Sequence, residues 1–117
     1  MYLGEFNIDD YIDIVATTHR FSSGAVYAPT GDVTYTVYEN ANATQIITAT
    51  AMTNFDSETG LYFDRIQATT ALGYEAGKSY MVLIKATVDG VASIDWRTFK
   101  VKATITATLD TLKADTV

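Results

Sequence analysis

The residues best suited to catalysis surround the single histidine, His19. Asp13 precedes it and Ser22 and Ser23 follow it, and these are the residue types of a serine-hydrolase triad. Neither serine lies in the glycine-flanked turn that exposes a catalytic nucleophile. The chain has no cysteine, which excludes thiol catalysis, disulfides and thiolate metal sites, and one histidine alone disfavours zinc. We therefore expect His19 to lie on the surface or at a strand end, and we predict that the protein is not an enzyme.

Oxygen ligands for a cation are present in two acidic segments. The run Asn54-x-Asp56-x-Glu58-x-Gly60 is similar to a calcium-binding loop, which needs glycine at its sixth position and a bidentate glutamate at its twelfth. Here glycine is seventh and Arg65 is twelfth, so a polar connecting loop explains the run better than a weak calcium site. The same interpretation applies to a second acidic group, formed by Asp9, Asp10 and Asp13. We predict no metal and no cofactor.

Length, charge and hydropathy restrict the class of protein. The 117 residues suffice for one domain, and the net charge is −6. Residues 1–64 carry nine acidic residues and one basic residue, whereas residues 65–117 carry five and seven. Nucleic-acid binding needs a basic face and is disfavoured. No apolar run approaches the ~20 residues of a membrane helix, and the start of the chain does not resemble a secretory signal, so we expect no membrane partner and synthesis in a reducing cytoplasm.

An alternation of apolar and polar residues runs through most of the chain and indicates β-strands. Asp89-Gly90 is the strongest hairpin signal, because glycine accepts the positive φ of a primed turn. Strands separated by turn signals every ~8–12 residues are typical of a β-sandwich. The predicted strands are Tyr11–Thr17, Val33–Glu39, Gln45–Met52, Leu61–Ala68, Ser79–Val88, Ser93–Lys102 and Ala103–Leu109.

A corner between two predicted strands is marked by three residues. Leu72 precedes the corner, Gly77 turns it and Tyr80 opens the strand that follows. This arrangement resembles the E–F corner of immunoglobulin-like and fibronectin type III domains, and the resemblance implies that the Tyr80 hydroxyl bonds back to the backbone. The chain departs from disulfide-bearing immunoglobulin domains because it has no cysteine pair and because Trp96 follows the corner instead of preceding it.

The fold that this resemblance implies is all-β, a single immunoglobulin-like or fibronectin-III-like sandwich of about seven antiparallel strands. We predict that residues 1–10 form an N-terminal arm and that residues 11–102 form the sandwich. Residues 103–117 are expected to form a last strand or a C-terminal arm.

Several segments also resemble small immunoglobulin-like accessory proteins of tailed-phage virions. The resemblance implies a non-enzymatic virion protein, made in the host bacterial cytoplasm and present in many copies or as a homo-oligomer, that binds capsid or tail proteins. Capsid decoration is the first expectation, and a head–tail connector or a tail adaptor is the alternative. The segments are Leu3-Gly4-Glu5-Phe6, Tyr35-Thr36-Val37-Tyr38-Glu39, Thr59-Gly60-Leu61-Tyr62 and Gly77-Lys78-Ser79-Tyr80.

Aromatic side chains are too numerous for one thin core, so several must lie on the surface. Tyrosine and tryptophan are enriched in protein interfaces. We predict that a sheet face and the terminal arms bind other proteins. A carbohydrate-binding or host-surface-binding module would use the same side chains and remains the alternative. The candidate interface residues are Tyr2, Phe6, Tyr38 and Trp96.

Overall fold

Two β-sheets pack face to face in the computed structural model, which describes residues 1–20 and 22–103. A five-stranded sheet has the order β1-β8-β7-β3-β4, and a three-stranded sheet has the order β2-β6-β5. Short 3-10 turns cover Phe55–Ser57 and Thr70–Leu72. The strands are β1 (Tyr2–Phe6), β2 (Tyr11–Thr17), β3 (Thr34–Glu39), β4 (Thr44–Ala51), β5 (Thr53–Asn54), β6 (Leu61–Gln67), β7 (Ser79–Val88) and β8 (Val91–Val101).

The strand order is that of an immunoglobulin-like sandwich. In that fold the strands B, E and D form one sheet and C, F and G lie in the other. Here β2, β6 and β5 take the places of B, E and D, while β3, β7 and β8 take those of C, F and G. The predicted fold class is confirmed.

Side-chain alternation produces the core, because successive residues of a strand point to opposite faces of the sheet. In β2 the even-numbered residues are buried and the odd-numbered ones are exposed. In β7 the buried set begins at Tyr80 and recurs at every second residue as far as Ile84. Both sheets contribute to one apolar cluster, whose most deeply buried members include Ile12, Ile14, Val33, Val37, Tyr74, Tyr80, Val82, Phe99 and Val101.

The longest hairpin joins β7 to β8 and follows the predicted turn. Asp89 and Gly90 have φ angles of 52° and 75°, which are the left-handed values that a two-residue primed turn requires. Val88 pairs with Val91 directly across this turn, and the register continues without a shift to Ser79 opposite Lys100. The turn therefore determines which residues of β8 share a face with those of β7.

The N-terminal segment differs from the expected arm. Residues 2–6 form strand β1, which runs parallel to β8 and places Tyr2 opposite Thr98 and Phe6 opposite Val101. A register shift beside Gly4, which has a φ of 118°, bends this strand. Strand β1 adds one parallel pairing to the predicted antiparallel strands, and neither β1 nor β5 was predicted as a strand. The expected last strand Ala103–Leu109 and C-terminal arm lie, apart from residue 103, outside the described residues.

The corner before β7 has the predicted tyrosine geometry. The Tyr80 hydroxyl accepts a hydrogen bond from the backbone N–H of Glu75 at 2.7 Å, and the side chain is fully buried. Gly77 has a φ of 87°, and its N–H donates to the Val101 carbonyl at 2.7 Å, which ties the corner to the end of β8. Leu72 does not share in this core, because its side chain is 51% exposed.

Tyr74 occupies the buried position at the corner instead of Leu72. Its ring lies 5.0 Å from that of Tyr80 in an edge-to-face arrangement. The Tyr74 hydroxyl is buried and has no hydrogen-bond partner among the described residues, and burial raises the pKa of this hydroxyl. Two adjacent buried tyrosines thus differ in whether the hydroxyl is bonded.

We expect Tyr80→Phe and Tyr74→Phe to have different effects on stability. Tyr80→Phe removes the partner of the Glu75 N–H and should lower the free energy of unfolding by about 1–2 kcal/mol. Tyr74→Phe removes a buried hydroxyl that has no bond to lose, so its effect should lie near zero or be stabilising. Urea unfolding of the two variants measures this difference. Equal losses in both would contradict the structural role of the Tyr80 hydroxyl.

Candidate functional site

The structure does not assemble the residues of the imagined triad. On the outer face of the smaller sheet, the Asp13 carboxylate accepts a hydrogen bond from the Arg65 guanidinium at 2.7 Å. This ion pair lowers the pKa of Asp13. The Ser23 hydroxyl accepts from the Ala25 N–H at 3.3 Å. His19 forms a bridge with Val26 at the end of β2. Each group serves the local structure.

The predicted polar loop before β6 is closed by Asn54. The Asn54 side-chain amide donates to the carbonyls of Glu58 at 2.7 Å and Leu61 at 3.0 Å, so it braces the loop. Gly60 ends the loop with a φ of 74°. Within residues 1–20 and 22–103, no three histidine, cysteine, aspartate or glutamate side chains gather as a metal site would require.

Two partly buried carboxylates lie in structural pairs. The Glu39 carboxylate forms a salt bridge with the ammonium group of Lys78 at 2.9 Å, beside the tyrosine corner. Asp64 faces the hydroxyl of Tyr35 across the sandwich; burial and this carboxylate both raise the pKa of Tyr35. A phenol whose pKa is raised stays neutral at physiological pH and keeps the proton with which it donates a hydrogen bond to the carboxylate. Both carboxylates therefore take part in contacts within the sandwich.

An apolar surface covers the outer side of the five-stranded sheet, and we call it the aromatic face. Because Tyr80, Val82 and Ile84 point into the core, Met81 and Leu83 must point outward. The register then places Trp96 opposite Leu83, and residues opposite each other in a sheet share a face. The aromatic face consists of Tyr2, Tyr38, Met81, Leu83, Ile94 and Trp96.

Three side chains of this face are exposed to solvent, and the other three are half-buried. Tyr2 is 60% exposed, Ile94 is 64% exposed and Trp96 is 49% exposed. Single exposed apolar side chains are common, but a contiguous patch rimmed by polar groups marks an interaction site. The charged residues Lys85 and Lys100 share the outer face at its borders. The arrangement suits a contact with a flat, mainly apolar partner surface.

The backbone of Trp96 is held by its two neighbours. Its N–H donates to the Asp95 carboxylate at 2.8 Å, and its carbonyl accepts from Arg97 at 3.1 Å. Arg97 also binds Asp95 at 2.7 Å and reaches across the sandwich to the Val15 carbonyl at 3.3 Å. Burial raises the pKa of Asp95, but the bonds from Arg97 and the Trp96 N–H lower it to a value below its usual one. These hydrogen bonds hold the backbone from which the Trp96 indole projects.

The structure separates the four candidate interface residues. Tyr2, Tyr38 and Trp96 lie on the aromatic face, with Tyr38 opposite Met81. Phe6 does not, because it points inward and its ring meets that of Phe99 edge-to-face at 6.1 Å. Phe6 is thus partly buried and packs against the core instead of lying on the aromatic face, and its role in an interface stays a prediction.

Met81, Leu83 and Ile94 were missed as members of this surface. The signal for them was present, since the inward alternation of Ser79–Val88 leaves Met81 and Leu83 on the other side. The Asp89-Gly90 turn also fixes which residue of the next strand lies opposite Lys85, and that residue is Ile94. Combining the turn with the alternation would have identified all three.

The outer face of the smaller sheet is more self-contained. Tyr11 and Val15 are exposed there, but Arg65 lies over the Tyr11 ring at 5.6 Å while it binds Asp13. Side chains that already contact one another gain less free energy from binding a partner protein.

Comparison with protein-family models, with curated proteins and with solved structures finds no match to this chain. None of the helical turns in the described residues is long and apolar enough to cross a membrane.

Proposed function

We propose that this protein is a non-enzymatic structural protein that binds other proteins through the aromatic face. The observation that carries the proposal is the contiguous exposure of Tyr2, Ile94 and Trp96 on a sheet whose opposite side is a well-packed core. Exposed aromatic residues on a rigid strand supply a large contact area at small entropic cost. Among the groups suited to catalysis, Asp13 is paired with Arg65 and the Ser23 hydroxyl accepts a local backbone hydrogen bond.

The assembly that we propose is the virion of a tailed phage, in which the chain is present in many copies. This part of the proposal rests on the resemblance of the Leu3–Phe6, Tyr35–Glu39, Thr59–Tyr62 and Gly77–Tyr80 segments to virion accessory proteins. Capsid decoration is the favoured role, and a head–tail connector or a tail adaptor is the alternative. The chain would be made in the bacterial cytoplasm and function in the virion.

A carbohydrate-binding module is the second candidate, and one observation favours it. The exposed Trp96 and Tyr2 lie on one flat face, and aromatic rings presented in this way can stack on sugars. A glycan array separates the two functions, because a protein-binding face should retain no defined oligosaccharide.

We expect Trp96→Ala to weaken binding to the partner while leaving the fold intact. An interface tryptophan near the centre of a contact commonly contributes about 2 kcal/mol or more, so the affinity should fall by about 30-fold. Co-sedimentation with empty capsids, and separately with tails, of the phage that encodes the chain measures this loss. Tyr11→Ala is the matched control, because Tyr11 is equally accessible but lies on the other sheet.

Three outcomes of this experiment would count against the proposal. Binding that is lost equally with Tyr11→Ala would show that the contact is not specific to the aromatic face. Association of the wild-type chain with neither capsids nor tails would contradict the virion assignment. Binding to a defined oligosaccharide that is lost with Trp96→Ala would replace the protein partner with a sugar.

A further inference from the structure

The four sheet edges formed by the described residues differ in how well they are protected against pairing with another strand. Native proteins protect edges with short strands, bulges, prolines or lysines. Strand β1 has a register shift beside Gly4, β4 has two shifts, and β5 has only two residues. Strand β2 has seven residues, an unbroken register with β6, and neither proline nor lysine. The edge of β2 is therefore the one that is built to accept a strand.

The backbone of β2 presents its hydrogen-bonding groups toward this open edge. In an antiparallel pair, alternate residues direct both backbone groups at the partner strand and the others direct them away. Asp10 and Thr18 bond to the β6 side, through Ala68 N–H to Asp10 O at 3.0 Å and Thr18 N–H to Gly60 O at 2.8 Å. The backbone groups of the odd-numbered residues between them therefore point toward the open edge, where the Val15 carbonyl accepts a hydrogen bond from Arg97 at 3.3 Å that an added strand would replace.

A groove beside this edge opens onto the core. It has a volume of about 190 Å³ and lies between the end of β2 and the inner face of the β7–β8 hairpin. Its lining is mixed: Ala16, Ile84 and Ala86 contribute apolar surface, and Thr18 and Asp95 contribute polar groups. A strand added to β2 would place alternate side chains over this groove, and pockets for alternate side chains are what give strand addition its specificity.

The chain contains a segment whose sequence fits both features. Residues 104–109 read Thr-Ile-Thr-Ala-Thr-Leu and carry no charge, proline or glycine. Ile105, Ala107 and Leu109 form one side of this alternation and the threonines form the other, which is the pattern of a half-buried strand. Six extended residues span ~20 Å, close to the length of β2.

We propose that residues 104–109 of one copy of the chain pair with the open edge of β2 in a second copy. The chain leaves β8 beside β1, where the Lys102 N–H bonds to the Phe6 carbonyl at 2.8 Å. Pairing with β2 of the same copy would require the chain to reverse there, and a reversal takes about 2–5 residues. Only Lys102 and Ala103 lie between β8 and the segment, so any longer loop would take residues from it, whereas a second copy can accept all of it.

This contact repeats from copy to copy, because the donor segment and the acceptor edge are different surfaces of the chain. Such head-to-tail contacts produce rings or open arrays. The inference gives the many-copy assembly proposed above a specific contact, and it does not involve the aromatic face. Its test uses the purified protein alone, so it can fail without affecting binding to a virion.

Engineered cysteines test the contact directly, because the chain has none of its own. We expect Val15→Cys, mixed with Thr104→Cys, Thr106→Cys or Thr108→Cys in a glutathione redox buffer, to give a mixed disulfide dimer with at least one of the three. Isotope labelling of one variant identifies mixed dimers by mass. Thr48→Cys, which is exposed on the edge strand β4, replaces Val15→Cys as the control.

Two results would overturn the proposal. One is a yield of mixed dimers no higher than that with Thr48→Cys. The other is a double variant, Val15→Cys with Thr106→Cys, that closes its disulfide only within one chain, since this would assign the segment to its own β2.

A second measurement uses the mass of the native assembly of the full chain. Ile105→Asp with Leu109→Asp should shift the wild-type oligomer to monomer while the far-ultraviolet circular dichroism is retained. Thr104→Asp with Thr108→Asp introduces the same charges on the other side of the segment and should leave more of the oligomer intact. A wild-type protein that is monomeric at every soluble concentration would contradict the inference.

Discussion

Gly60→Ala is expected to lower the free energy of unfolding by about 2–5 kcal/mol. Gly60 has a φ of 74°, which costs a residue with a side chain about 1–2 kcal/mol. An added Cβ would lie 2.6 Å from Cγ1 of Val26 and 2.9 Å from the carbonyl oxygen of Thr18. The Thr18 N–H also bonds to the Gly60 carbonyl at 2.8 Å, so the backbone cannot shift without breaking that bond.

Gly31→Ala is the matched control for this prediction. Gly31 has nearly the same φ, 77°, but no atom lies within 4 Å of its added Cβ. Its substitution should therefore cost only the conformational part, about 1–2 kcal/mol. Urea unfolding of both variants separates the steric contribution from the conformational one. Equal losses would show that the loop carrying Val26 does not pack on Gly60 as described.

Phe99→Ala is expected to cost about 3–5 kcal/mol. The Phe99 ring is fully buried and stacks on Tyr80 with centroids 5.5 Å apart. It also meets Phe6 and Tyr74, each at 6.1 Å. Its removal opens a cavity where β1, β7, β8 and the corner meet, so one truncation disturbs both the N-terminal strand and the tyrosine corner.

Trp96→Ala provides the comparison, because it truncates a larger ring on the same strand but on the opposite face. Trp96 is half exposed, so its loss should change the free energy of unfolding by much less than the loss of Phe99. Thermal and urea unfolding of both variants measure this. If Trp96→Ala destabilised the chain as much as Phe99→Ala, the aromatic face would be part of the fold and not a binding surface.

Much of the fold could be predicted because strand alternation and turn chemistry are local. The alternation in Tyr11–Thr17 and Ser79–Val88 predicted the buried side of β2 and of β7. The Asp89-Gly90 turn predicted the hairpin, and the register that this turn determines in the structure sets the partner of each residue in β7. The tyrosine corner was predicted from the resemblance of Leu72, Gly77 and Tyr80 to the E–F corner of immunoglobulin-like domains, and the structure has the implied bond to the Tyr80 hydroxyl.

The differences at the N-terminal strand concern contacts between residues distant in sequence, whereas the difference at the corner concerns which nearby side chain fills the space. Tyr2–Phe6 looked like an arm because a five-residue strand shows its nature only when β8 lies beside it. Phe6 was assigned to the surface because its partner, Phe99, is distant in the chain. Leu72 was placed at the corner by analogy, but the space there is filled by the larger ring of Tyr74.

The candidate site was predictable only in part. Tyr2, Tyr38 and Trp96 were identified as residue types that are common in interfaces, but no local sequence pattern indicates that they share a face. Their common orientation depends on the parallel register of β1 with β8 and on the pairing of β3 with β7.

The amino-acid order by itself determined where the strands and the hairpin lie, which side of each strand is apolar, and which chemistries lack their residues. Those properties depend on neighbours within a few positions, where backbone sterics and side-chain alternation act. Only the tertiary structure decided which aromatic rings are buried, which sheet edge is open and which side chains form one surface. Packing fills space with whichever distant side chain fits, and that competition is decided when all the strands are assembled.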